Sequence, residues 1–228
     1  NRDVVKKLKG KKGTIVNVEI YRRGEQALLD FAIERDDIPL NSIDGHLMLN
    51  DSTGFIRVTR FSRTTAKEFQ SALIDLVEKE MTQLVVDLRG NSGGYLDQCV
   101  YMIDQLLGDK KLIVYTEGRS QPRYDYLAER SGLFEQGRVA VLIDEGSASA
   151  SEIFAGAMQD WDRGVIVGRR SFGKGLVQHQ YPFADSSAIR LTVSKYYTPL
   201  GRCIQKPFTK GDKKGYEEEA YNRYESGE

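Results

Sequence analysis

The feature that most constrains this chain is a set of short, nearly unbroken apolar runs, each followed by a stretch of helical period. The runs are Leu84–Arg89 (LVVDLR), Gly137–Glu145 (GRVAVLIDE) and Gly164–Arg169 (GVIVGR). A strand without polar alternation is one expected to be covered on both faces. Between the runs, Leu96, Val100, Ile103 and Leu107 recur with helical spacing, and SEIFAGAMQDW at residues 151–161 reads as a second helix. A third is predicted from TTAKEFQSALIDLVEKE, with Thr65 and Glu68 as a capping box and Phe69, Leu73, Leu76 and Val77 on one face. Strands alternating with helices require βαβ crossovers, so the fold class is α/β. Two longer β segments, GLVQHQYPF and AIRLTVSKYY, follow the last run.

The ends read differently. Residues 1–36 are β-rich, with strands in GTIVNVEIYR and ALLDFAIER around an RRGEQ turn. Two strands do not make a stable domain alone, so this segment reads as either the end of a truncated domain or an edge of the next one. Residues 37–208 form the main body, opening with a linker and a hairpin whose second strand is Gly54–Arg60. Residues 209–228 are charged and Tyr-rich, and read as a surface excursion. The basic run Lys6–Lys12 reads as a solvated turn.

Composition excludes several functions. Lys plus Arg and Asp plus Glu both total 33, a zero balance that argues against nucleic acid as a partner. Two cysteines, Cys99 and Cys203, and two histidines, His46 and His179, match no common metal-ligand spacing, so neither metal nor cofactor is expected. No apolar run reaches membrane-spanning length.

The candidate chemistry lies in EGSASASEIFAGAMQDW, which packs Ser147, Ser149 and Ser151 into five positions at a strand-to-helix junction. Ser149 with Glu152 spells a capping box, and as a plain N-cap it contributes about 1 kcal/mol. The same position, lifted above a sheet and backed by a helix N-terminus, suits a nucleophile. GSASA approaches the G-x-S-x-G elbow without satisfying it. A nucleophilic serine needs a base, and three residues are open to that role. His179 and His46 are placed by no motif. Lys174 stands between Gly173 and Gly175, an arrangement suited to close backbone packing and an inward-aimed amine. Burial disfavours an ammonium, so such a lysine is expected to serve as a base and give a rate that rises with pH. GRRSFGKGLV lacks the GK[ST] of a phosphate-binding loop.

Several blocks together resemble one family. VVDLRGNSGG, GSASASEIFAGAMQD, VGRRSFGKGLVQ and KYYTPLGRCIQ are similar to the carboxyl-terminal processing peptidases, or tail-specific proteases. LKGKKGTIVNVEIYR resembles the closing strands of that family's PDZ domain, and GFIRVTRFSRTTAKEF the stretch between the two domains. The resemblance implies a crotonase-like α/β core preceded by a PDZ remnant whose tail-binding groove is largely absent. It implies a Ser–Lys dyad serine endopeptidase, with Ser149 as nucleophile, Lys174 as general base and Gln178 orienting the amine. Backbone N–H groups of Ala150 and of Gly93 or Gly94 would form the oxyanion hole. Cys203 stands where the family commonly carries a small hydroxyl residue. The implied substrates are proteins with unstructured, apolar carboxyl termini, and the implied location is outside the cytoplasm, as in a periplasm. A catalytically inactive peptide-binding relative and a Ser–His hydrolase using His179 are the alternatives.

Overall fold

In a computed structural model, residues 2–37, 41–209 and 211–226 are described. The chain divides into two compact units, residues 1–40 and 41–228. The first holds helix α1 (Arg2–Leu8) and an antiparallel pair, β1 (Ile15–Ile20) and β2 (Leu29–Glu34), in register from Ile15 opposite Glu34. None of its described residues is buried. Lys6 and Lys7, expected in a turn, fall in α1.

The second unit is built on a five-stranded sheet in the order β3 (Ile43–Met48), β4 (Thr53–Val58), β5 (Gln83–Asp87), β8 (Arg138–Ile143) and β9 (Gly164–Gly168). β3 and β4 form the expected hairpin, and every other pairing is parallel. The crossovers run through α2 (Thr65–Glu78), α3 (Leu96–Asp104) and α4 (Ala150–Asp160). Ile56, Val58, Leu84, Val86, Val139 and Val141 point into a core closed by Phe69, Leu73 and Leu76 of α2, Met102 and Ile103 of α3, and Phe154 and Met158 of α4. In α4 every residue from Ala150 to Met158 is buried. A helix buried on all sides has no solvent face to show, and its polar Ser151 and Glu152 are met by hydrogen bonds.

Strands buried on both faces were expected, and the sheet corrects this. On the face away from the core, Leu47, Phe55, Val85, Ala140 and Val165 lie opposite one another across all five strands. Leu47 is 48% and Val165 66% exposed, and the three between are half-buried. The unbroken apolar runs therefore make one core face and one apolar outer face.

A second sheet, antiparallel, has the order β10 (Leu176–Pro182), β11 (Ala188–Tyr197), β6 (Leu112–Gly118) and β7 (Gln121–Leu127). β7 was not foreseen, because QPRYDYL carries no aliphatic alternation, only Tyr124 and Tyr126 alternating with the charged Arg123 and Asp125. The tail is also ordered, as helix α5 (Lys213–Ser226). The capping box expected at Thr65 does not form. Thr64 is the N-cap, and the Glu68 carboxylate accepts the Ser42 and Ile43 N–H groups at 2.7 and 2.9 Å instead.

Candidate active site

The three serines between β8 and α4 have different tasks. Ser147 and Ser151 are fully buried and committed to structure. Ser147 Oγ donates to the Leu88 carbonyl at 2.8 Å and accepts the Asp144 N–H at 3.0 Å. Ser151 Oγ donates to the Asn91 carbonyl at 2.8 Å. Both bonds tie the serine turn to the glycine-rich turn that follows β5. Ser149, between them, is half-exposed and adopts φ 57°, ψ −112°. Its ψ lies far from the left-handed helical well, so a non-glycine residue there carries strain of about 1–3 kcal/mol. Strain of this kind at the first turn of a buried helix is the backbone signature of an elbow that presents its side chain.

Glu152 holds this elbow. Its buried carboxylate accepts four hydrogen bonds. Oε2 takes the N–H of Ser149 at 2.8 Å and of Lys174 at 2.8 Å; Oε1 takes the Ser171 hydroxyl at 2.7 Å and the Gly173 N–H at 2.6 Å. One carboxylate thus brings the backbones of Ser149 and Lys174 together, although 25 positions separate them in the chain. Gly173 has φ 86°, and a Cβ on Gly175 would stand 2.3 Å from the Gln205 backbone nitrogen. Both glycines are required by geometry, as the sequence pattern implied. The side chain departs from that pattern: Lys174 is exposed, and among the described residues no hydrogen bond or ion pair holds its ammonium. Gln178 lies exposed on β10, at the register shift that follows Val177.

The glycine-rich turn abuts the elbow. A Cβ on Gly93 would lie 2.8 Å from Ser149 Cβ and 3.0 Å from the Ala150 nitrogen, and Gly93 has φ 96°. Gly93 donates its own N–H to Asn91 Oδ1 at 2.9 Å. Gly94, at φ 150°, runs beside Phe61, where a Cβ would meet the Phe61 carbonyl. The Ala150 N–H is in the first helical turn, where no intrahelical acceptor exists. Asn91 organises the turn: its side chain also donates to the Val58 carbonyl, and its own carbonyl accepts both the Ala148 N–H and the Ser151 hydroxyl.

Charge is fixed nearby. Asp87, at the end of β5, is buried against Arg89, which grips it through Nε at 2.9 Å and Nη2 at 2.7 Å. Burial alone would raise the Asp87 carboxyl, but the Arg89 guanidinium and N–H together hold it below the ordinary carboxylate range. Asp144 Oδ1 accepts the N–H groups of Gly90 and Gly146, pinning the glycine turn to the serine turn. The histidines are elsewhere. His46 pairs with Asp75 at 3.2 Å, and His179 is exposed on β10 opposite Leu191, its ring 6.4 Å from Tyr181. Both cysteines are free thiols. Cys99 donates to the Ala150 carbonyl at 3.1 Å, and its burial pushes the thiol pKa far up, which makes it inert.

Sequence reasoning missed Asn91, Asp144 and the wider reach of Glu152. The S-x-x-E signal marked Glu152 as a cap; its bonds to residues 171–174 are tertiary and leave no local pattern.

Known proteins resemble this chain over most of its length. Residues 52–214 match peptidase family S41. The chain is 38% identical over 221 residues to the carboxy-terminal processing protease CtpB of Bacillus subtilis, covering 89% of this chain and 42% of that protein. It is 40% identical over 210 residues to a carboxy-terminal-processing protease of Bartonella bacilliformis, covering 89% and 47%. Among solved structures, the photosystem II D1 C-terminal processing protease superimposes with a TM-score of 0.67 at 28% identity, covering 89% of this chain and 56% of that one. The chain therefore spans about half the length of the curated relatives it matches.

Proposed function

Because this chain belongs to peptidase family S41, we propose that it is the proteolytic part of a carboxyl-terminal processing serine endopeptidase, working through an acyl-enzyme on Ser149 with Lys174 as general base. The observation that carries the reading is the strained Ser149 elbow, stapled by Glu152 to the loop that bears Lys174. In the proposed reaction the neutral Lys174 amine takes the Ser149 proton as Oγ attacks the scissile carbonyl. The oxyanion is met by the Ala150 N–H and by a second N–H from the glycine turn. Gly93 is in contact with the elbow but its N–H is engaged with Asn91; Gly94 is the other source. Collapse of the tetrahedral species breaks the C–N bond, and Lys174 returns its proton to the leaving amine. Water, deprotonated by the same amine, then releases the acyl group and restores the serine.

Since Lys174 is exposed, its side chain must turn inward onto Ser149 for the reaction to start, and Gln178 is the neighbour proposed to steady it there. The remaining parts of the reading are a crotonase-like core, closing strands of a PDZ domain over residues 1–36, substrates with apolar carboxyl-terminal tails, and a site of action outside the cytoplasm. They rest on the family and on the names of the relatives.

The test is turnover of a peptide with an apolar carboxyl terminus, together with fluorophosphonate labelling. Ser149→Ala is expected to abolish both, and Lys174→Ala to lower turnover by roughly 10²–10⁴-fold, with His179→Ala close to wild type. Loss of activity in His179→Ala but not in Lys174→Ala would replace the lysine with the histidine. Wild-type protein that neither labels nor cleaves would make the chain a peptide-binding relative.

A further inference from the structure

The loop that carries Lys174 is held from two sides, and only one is Glu152. On the other side runs the segment after β11. Its Lys206 N–H donates to the Gly173 carbonyl at 2.9 Å, and the Tyr196 N–H donates to the Gly175 carbonyl at 2.8 Å. The remaining backbone donor beside the lysine, the Gly175 N–H, is taken by a side chain: Gln205 Oε1 accepts it at 3.0 Å. The far end of the same amide is also engaged. Gln205 Nε2 donates to the Tyr216 hydroxyl in α5 at 2.9 Å and to the Lys206 carbonyl at 3.2 Å. The partners set the amide's orientation, since a flipped amide would face its NH₂ toward the Gly175 N–H. α5 is tied down beside it, with Lys206 Nζ donating to the Tyr216 carbonyl at 2.9 Å and lying 4.0 Å from the Tyr216 ring centre.

We propose that Gln205 is a positioning residue for Lys174, fixing the Gly175 peptide from which the lysine departs and coupling that peptide to α5 through Tyr216. The proposal rests on the Ser149–Lys174 pair put forward above. The base must meet the hydroxyl within hydrogen-bond reach, and small misplacements of a catalytic group are costly. Glu152 holds the N–H groups of Gly173 and Lys174; on the other side of the lysine, the Gly175 N–H of the Lys174–Gly175 peptide is held by Gln205. The hydrogen-bond partners of Gln205 are Gly175, Lys206 and Tyr216 and do not include Ser149, so its effect is expected in kcat and not in KM.

The experiment measures kcat and KM on an apolar-tailed peptide, with thermal melting, for four variants of the full chain. Gln205→Met keeps length but accepts nothing, and is expected to lower kcat by about 10- to 100-fold with KM unchanged. Gln205→Glu keeps an oxygen for the Gly175 N–H and is expected to recover most of that loss. Tyr216→Phe removes only the distal anchor and is expected to give a smaller loss of kcat in the same direction. Wild-type kcat in Gln205→Met, or an equal loss in Gln205→Glu, would overturn the proposal. If Gln205→Met fails to fold, wild-type kcat in Tyr216→Phe would overturn the coupling to α5. Lys174→Ala is the fourth variant: its full activity would defeat the dyad itself, whereas an inactive Lys174→Ala beside a normal Gln205→Met would defeat only the role of Gln205.

Discussion

A carboxylate offers about four lone-pair positions, and Glu152 fills four with donors from two segments: the Ser149 elbow and residues 171–174. A glutamine there would turn an NH₂ toward two of those donors. Glu152→Gln is therefore expected to cost about 2–3 kcal/mol, read as a lower midpoint in urea unfolding, and to depress turnover as well. The same substitution on an exposed helix would be nearly silent. Ser149 supplies the reason for so firm a grip. Its backbone stays in a disfavoured region only because the bonds around it outweigh the strain. The role of Glu152 was half legible in the sequence. S-x-x-E announced the bond back to the Ser149 N–H, whereas the bonds to Ser171, Gly173 and Lys174 depend on where the next crossover returns.

At the level of elements, the carboxyl ends of β5 and β8 do the positioning, and their turns are locked together by Asp144, Ser147 and Ser151. The Asp87–Arg89 pair anchors the first of these turns. Because the Asp87 pKa is lowered on folding, its contribution to stability is fully present above the unfolded carboxylate value, near ~3.9. That contribution is lost as pH falls through the folded value. Arg89→Met is expected to narrow the difference in melting temperature between pH 7 and pH 3; melts across that range check it. The strands and helices that bear these turns were readable because Leu84–Arg89, Gly137–Glu145 and the α4 sequence carry their period locally. β7 and α5 were not. QPRYDYL alternates only Tyr124 and Tyr126 with charged residues, and KKGYEEEAYNRYES is rich in charge with no aliphatic stripe, so each signal was weak; β6 pairs with the strand, and Gln205 and Lys206 bond the helix.

At the scale of the whole second unit, the outer face of the five-stranded sheet is an apolar surface among the described residues. Leu47, Phe55, Val85, Ala140 and Val165 form an apolar row across it, and Val167 on β9 is 49% exposed. Contiguous apolar area of this kind binds hydrophobic dyes and favours association. Val165→Lys with Val167→Lys is expected to reduce anilinonaphthalene sulfonate fluorescence, with a change in stability of only about 0.5 kcal/mol per site. The periodicity revealed the apolar runs but not which faces find cover, since coverage is decided by crossovers that all return to one side.

Embedding α4 along nine consecutive residues has a mechanical result. The alcohol stands at the head of a rod buried along its length, so the backbone that carries it has little room to shift. The amine hangs from the connection between an edge strand and a hairpin arm. Any approach of one to the other is a swing of the lysine toward a stationary target.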